Sequence, residues 1–254
     1  MTMTLSKIFK GASLAVAVLV TASAAQAGGK LRVGTEGAYP PMNFVDSKGR
    51  LQGFDVDIAN AICEKLGVEC VFVKQDWDGI IPALIKGKYD AIVASMSITE
   101  ERKKAVDFSE RYCTNKLWFV GKKGVAMGTS AEALKGKVIG AQRATISSDW
   151  LEKNRPDVKI KLYDTQENAY LDLVAGRLDG VLADILTTDP WLKSDAGKGF
   201  EFKGEPVFEG DRYGIAVRKG DDELRKKLNK AIKDIVNDGT YAKINAKYFP
   251  FSVY

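Results

Sequence analysis

Apolar and polar positions follow two rhythms along this chain. Residues 31–34, with Leu31 and Val33 alternating about Arg32, predict a first strand. Ile58, Ile62 and Leu66 recur at helical spacing between 56 and 66, and Gly67 supplies a stop. Residues 68–73 predict the next strand. Asp78 is placed to cap a helix running to Lys86, with Gly87 behind it, and 89–94 predict a third strand. Strand, helix, strand, helix, strand implies an α/β fold with a largely parallel sheet and helices outside it.

The same series returns later. Residues 138–141 predict a strand, 147–153 a short helix and 158–162 a strand. Thr165 caps a helix to Ala175, Gly176 stops it, and 179–183 predict a strand. The segments 84–95 and 173–184 even share one pattern: helix end, Gly, basic residue, Asp, apolar strand, polar residue. Ser95 and Asp184 close the two copies. Open α/β sheets bind ligands at the carboxyl ends of their parallel strands. Two similar lobes facing each other would bring Ser95 and Asp184 to one shared cleft. Residues 221–237 and 239–247 predict two closing helices.

Composition narrows the chemistry. Among 254 residues there is no histidine, which excludes a Ser-His-Asp triad, a Cys-His pair and any His-ligated metal. Three cysteines are too few for a four-thiolate zinc site. No metal or other cofactor and no catalytic residue is expected. Charges of both signs are interspersed, and 38 basic residues against 33 acidic ones give no patch suited to nucleic acid.

The first 27 residues differ from the rest. Lys7 and Lys10 precede the uncharged apolar run 11–20, and Ala25-Gln26-Ala27 has the small-x-small form that a signal peptidase cuts. A cleavable signal peptide over 1–27, and with it a periplasmic location, is the expectation. No cysteine follows to carry a lipid, and no later stretch is apolar enough to span a bilayer. Export permits disulfides. A Cys63–Cys70 bridge would tie a helix to the following strand and contribute about 2–3 kcal/mol by chain entropy. The alternative is two reduced thiols. Cys113 is expected to be a buried apolar residue.

Several motifs carry a resemblance. Gly53-Phe-Asp-Val-Asp-Ile-Ala-Asn60 resembles a signature of the periplasmic solute-binding proteins for polar amino acids, which feed ABC importers. Trp77-Asp-Gly-Ile-Ile-Pro-Ala-Leu84, Ser95-Met-Ser-Ile-Thr-Glu-Glu-Arg102, Asp107-Phe-Ser109, Ala175-Gly-Arg-Leu-Asp179 and Asp238-Gly-Thr-Tyr241 agree with it in order. The chain is most similar to the lysine/arginine/ornithine-binding and histidine-binding branch, which carries a Cys pair at the spacing of Cys63 and Cys70. The resemblance implies a two-lobed periplasmic binding protein fold of type II, with a ligand cleft between lobes and two hinge strands. The crossings are expected near 112–116 and 210–213. Lobe 1 is then 28–113 plus 213–254, and lobe 2 is 114–212. A monomer that binds an amino acid and docks on an ABC permease is implied.

The resemblance also assigns roles. Arg102 becomes the anchor of the α-carboxylate, with the N–H groups of Ser97 and Ile146; by composition alone it belongs to a charged run, 100–104, that a solvated helix face would also produce. Asp184 becomes the partner of the α-ammonium, beside the Ser97 hydroxyl and the Ser95 carbonyl. Glu36, Tyr39, Asp55 and Trp77 are expected to face the ligand side chain. An acid among aromatic faces suits an aliphatic stem with a cationic head. Ala94, Gln142, Thr145 and Ile146 complete the expected lining. Ala94, Gln142, Ile146 and Glu36 depart from the branch, which has serine, leucine, threonine and aspartate there. Gln142 suits a guanidinium or the extra carboxylate of an opine conjugate. A competing reading is a dehydratase of the cyclohexadienyl type on the same fold, with Glu36 as its general acid.

Overall fold

The computed structural model describes Thr2 and residues 29–254. Apart from Thr2, the expected signal peptide lies outside the described residues. The first stretch contains β1 (Lys30–Thr35), then a small antiparallel sheet of β2 (Ala38–Tyr39), β3 (Asn43–Val45) and β4 (Leu51–Gln52). There follow α1 (Phe54–Leu66), β5 (Glu69–Lys74), a 3-10 turn (Trp77–Gly79), α2 (Ile80–Ile85), β6 (Ala91–Ile92) and α3 (Glu100–Ala105). The second stretch contains β7 (Val106–Lys122), α4 (Ala131–Leu134), β8 (Val138–Gln142), α5 (Ile146–Asn154), β9 (Lys159–Tyr163) and α6 (Gln166–Val174). It continues with β10 (Gly180–Asp184), α7 (Ile185–Leu192), β11 (Phe200–Arg218), α8 (Asp222–Asn237) and α9 (Thr240–Tyr248).

Eight strands form one sheet in the order β5-β1-β6-β11-β7-β10-β8-β9. The order is symmetric about its centre. β5-β1-β6 and β9-β8-β10 are parallel trios, and each meets one long strand antiparallel. The two repeated segments of the sequence thus occupy matching places, β6 beside β1 and β10 beside β8. The long strands β7 and β11 pair with each other along nearly their whole length, and Asn115 stands opposite Asp211 at mid-sheet.

Packing divides the same way. Leu31, Val33, Phe54, Ile58 and Ile62 form a core with Leu228, Ile232, Ile235 and Tyr241, so α8 and α9 return to the half that holds β1. Leu117, Phe119, Ile139, Leu151 and Leu182 form a separate core in the other half. The long strands β7 and β11 run between the two groups.

Local chemistry sets the element ends. Gly53 sits before α1 at φ +127°, where a Cβ would lie 2.2 Å from the Met42 carbonyl oxygen, so no other residue fits. Gly67 ends α1 in the left-handed conformation, as its position predicts. Thr165 caps α6 by accepting the Asn168 N–H at 3.2 Å. The Asp78 expectation fails. Asp78 lies inside the 3-10 turn, α2 starts only at Ile80 with Gly79 in the cap position, and no side chain caps either element. A tight turn consumes the residues that the apolar spacing assigned to a first helical turn.

Cys63 and Cys70 are bridged, joining α1 to β5, while Cys113 is a buried free thiol. Thiol titration of oxidised, denatured protein is expected to find one reactive group per chain. Three would show that the bridge does not form in solution.

Candidate ligand-binding site

The strand ends that the repeat points to meet at one cavity. Its walls are Glu36, Tyr39, Trp77, Ala94, Ser95, Ser97, Arg102, Gln142, Thr145, Ile146 and Asp184. β1 delivers Glu36 just past its carboxyl end, β6 is followed by Ala94, Ser95 and Ser97, β8 ends at Gln142, and β10 ends at Asp184. Ser95 and Asp184, the closing residues of the two sequence copies, therefore do share a cleft.

Arg102 reaches in from α3. Its Nη1 donates to the Ser97 carbonyl at 2.9 Å and its Nη2 to the Ala144 carbonyl at 3.1 Å. The guanidinium lies 5.3 Å over the Trp77 ring, whose Nε1 donates to the same Ala144 carbonyl at 3.0 Å. Both partners are neutral, and burial pulls the guanidinium pKa down. A cation so placed is matched by an incoming carboxylate. The start of α5 is adjacent. Thr145 caps it with a reciprocal Ser148 capping box, and the first N–H groups of a helix have no partner inside it. Ala144, just before the cap, adopts φ +56°, and Ser95 adopts φ +52°. Ser95 lines the cavity and Ala144 precedes its wall residue Thr145, a setting where such strain is commonly kept.

Asp184 is buried, with 7% of its surface exposed. Its Oδ2 accepts the Tyr39 hydroxyl at 2.6 Å and the Tyr213 hydroxyl at 2.7 Å. Its Oδ1 accepts Asn115 Nδ2 at 2.8 Å. Burial raises its pKa, while these donors favour the charged form. Glu36, 6% exposed, sits in a separate network in which its Oε1 accepts Gln142 Nε2 at 2.6 Å. Burial pushes the Glu36 carboxyl up to about 7. Gln142 also donates to the Asp164 carbonyl at 3.1 Å.

Asp55 departs from its expected place. It does not line the cavity and is 1% exposed. Its Oδ2 accepts from Asn43 Nδ2 and Ser95 Oγ, each at 2.8 Å, and its Oδ1 accepts the Tyr112 hydroxyl at 2.7 Å. Burial raises its pKa to about 6 against those three bonds. Position 55 lies in the first turn of α1, whose buried face points into the lobe. The carboxylate holds Ser95 in its unusual backbone conformation. Sequence reasoning also missed Ala144, Asn115, Asp211 and Tyr213. The last three sit in polar stretches of long strands, where neighbouring polar residues hide them.

Comparison with known proteins finds similar chains. The chain is 45% identical over 231 residues to the L-arginine-binding protein of Pseudomonas aeruginosa, covering 88% of this chain and 89% of that one. It is 38% identical over 234 residues to the lysine/arginine/ornithine-binding periplasmic protein of Escherichia coli, covering 88% and 89%. Among solved structures, an ancestral arginine-binding protein bound to arginine superposes with a TM-score of 0.83 at 46% identity, covering 88% of this chain and 99% of that one. Residues 31–251 match throughout: the chain belongs to the bacterial extracellular solute-binding proteins, family 3.

Proposed function

We propose that this protein binds a cationic amino acid between its lobes and presents it to an ABC permease, and that it does so without catalysis. The observation that carries the reading is the charge of the cavity wall: two acids, Glu36 and Asp184, against one base, Arg102. An amino acid's α-groups match Arg102 and Asp184. Glu36 is then left to meet a cationic side chain. Arginine-binding relatives support the same ligand class. Lobe 1 is assigned to 28–113 plus 213–254 and lobe 2 to 114–212, in keeping with the cores and with α8 and α9 packing beside β1. Closure shifts a two-state equilibrium toward the form that holds ligand from both sides. The periplasm is the proposed compartment. The basic start and apolar run of 1–27 support it, and so does the Cys63–Cys70 bridge.

One observation favours the dehydratase reading: a carboxyl near 7 suits a general acid. Incubation with a cyclic hydroxy acid is the check, and no turnover is expected.

Calorimetric titration with L-arginine tests the binding reading, and its pH dependence adds a second signature. The chain has no histidine, so side-chain titration between pH 5 and 7 reports raised carboxyls. Glu36 must lose its proton to meet a cation. Affinity is therefore expected to fall as pH drops below about 7, approaching tenfold per unit for one proton. Stability runs the other way. The folded pKa of Glu36 lies above its unfolded value near 4.5, so the folded state binds this proton more tightly. The ligand-free protein is expected to gain stability as pH falls from 7 toward 5. Absence of arginine binding would overturn the functional reading, and a flat affinity profile would remove Glu36 from it.

A further inference from the structure

A buried network extends behind the cavity wall from Ser97 and Asp184. Asp211, 3% exposed, stands on β11 at mid-sheet. Its Oδ2 accepts Ser97 Oγ at 3.2 Å and Asn115 Nδ2 at 3.0 Å. Asn115 also donates to Asp184 Oδ1, so one amide joins the two carboxylates. The segment carrying Ser97 is stitched to the same strand: Ile98 N–H donates to the Arg212 carbonyl at 2.8 Å, and Gly214 N–H to the Met96 carbonyl at 3.0 Å.

We infer that Asp211 is a positioning residue that fixes the Ser97 hydroxyl as a hydrogen-bond acceptor and so makes the site select an α-ammonium over an α-hydroxyl. The inference rests on reading the cavity as an α-amino-acid site. An ionised carboxylate only accepts. The single hydrogen of Ser97 Oγ is therefore directed to Asp211, and its lone pairs face the cavity that Ser97 lines. The amide orientation of Asn115 follows from charge. Its NH2 group satisfies both carboxylates, whereas reversal would set its carbonyl oxygen against them. That oxygen is buried without a partner among the described residues. Tyr39 and Tyr213 likewise spend their hydrogens on Asp184. Every side-chain hydrogen of the network thus points at Asp184 or Asp211, and the Asp184 and Ser97 side chains offer the ligand only acceptors.

An α-ammonium has three donors and no acceptor, so it satisfies such a surface. An α-hydroxyl has one hydrogen. Once that is given to Asp184, its oxygen faces the Ser97 lone pairs with no hydrogen between them. A site whose buried polar groups are left unpaired rejects a near-isosteric analogue strongly.

The test compares L-arginine with L-argininic acid, its α-hydroxy counterpart, by calorimetry on the full mature chain. Burial and the nearby Asp184 push Asp211 up to about 6, so titrations run at pH 8, where it is ionised. Wild type is expected to favour arginine by at least about 100-fold. In Asp211→Ala the acceptor shared by Ser97 Oγ and Asn115 Nδ2 is gone, so the Ser97 hydrogen is free for the ligand. Arginine is expected to weaken about tenfold while argininic acid holds or improves, so the ratio shrinks by tenfold or more. Ser97→Ala is expected to shrink the ratio likewise, and the double variant to add nothing further. An unchanged ratio in Asp211→Ala, with equal losses for both ligands or none, overturns the inference. Should that variant fail to fold, Ser97→Ala decides alone, and a wild-type ratio there overturns it. A wild type that binds no arginine sinks the functional reading instead, a result distinct from either.

Discussion

Arg102→Ala is expected to remove amino-acid binding almost entirely. The α-carboxylate of any amino acid would enter a cleft where Arg102 is the basic residue of the wall. Truncating one partner of a desolvated charge pair costs about 2–5 kcal/mol, or roughly 30- to 4,000-fold in Kd. The loss should be uniform across ligands, because every amino acid has this carboxylate. The fold should persist. Arg102 stands on a six-residue helix and belongs to no hydrophobic core, and its side-chain hydrogen bonds go to the Ser97 and Ala144 carbonyls. Arg102→Lys separates charge from geometry. It keeps the cation but loses the planar fork that reaches Ser97 and Ala144 together, and it loses the stack on Trp77. An intermediate affinity is expected, measured by calorimetry alongside circular dichroism of each variant. Wild-type affinity in the alanine variant would remove Arg102 as the anchor.

Why was the wall of the cavity legible from sequence, and the layer behind it not? Two wall residues fall at strand ends just past short apolar runs, and the resemblance supplied the rest of the wall. Ser95 and Asp184 close two copies of one pattern, and the fold sets those copies at matching places in the sheet. Arg102 gave no such signal by itself. In a charged run it reads as solvent-facing, and the resemblance alone singled it out. Asp55 failed for a related reason. It stands one residue past Phe54 in a recognised motif, and nothing in the motif says whether the acid faces ligand or core. The structure shows three neutral donors around it. Asn115, Asp211 and Tyr213 lay beyond reach because β7 and β11 run 17 and 19 residues with irregular burial. Their meaning depends on the pairing of Asn115 with Asp211, a contact across 96 positions of sequence. The small sheet of β2, β3 and β4 also escaped, since strands of two or three residues are shorter than any period can register.

The ligand panel should rank arginine first, then ornithine and lysine, with glutamine weaker and glutamate weakest. Arg102 and Asp184 cancel against the α-groups and express no preference for a side chain. Discrimination therefore falls to Glu36, whose network is separate from that of Asp184. Gln142 Nε2 holds Oε1 of Glu36, and the Gln142 carbonyl oxygen is not spent in that bond. A guanidinium offers a planar set of donors to a carboxylate and a carbonyl together, whereas an ammonium is a point charge. Tyr39 and Trp77 line the same cavity and favour a cation with an aliphatic stem. A neutral amide would leave the carboxylate uncompensated in a buried place, and an acidic side chain would meet like charge. Glu36→Gln is the sharper test, because it should act with opposite signs on two measurements. Binding of arginine, ornithine and lysine should weaken by about 10- to 100-fold, the worth of a hydrogen bond to a charged group, with glutamine little affected. The ligand-free variant should melt at higher temperature at pH 8, because a carboxylate that burial disfavours is gone. The rise should shrink toward pH 5, where wild-type Glu36 already carries its proton. An equal loss across the whole panel, or a lower melting temperature at pH 8, would mean that Glu36 supports the lobe and does not read the ligand.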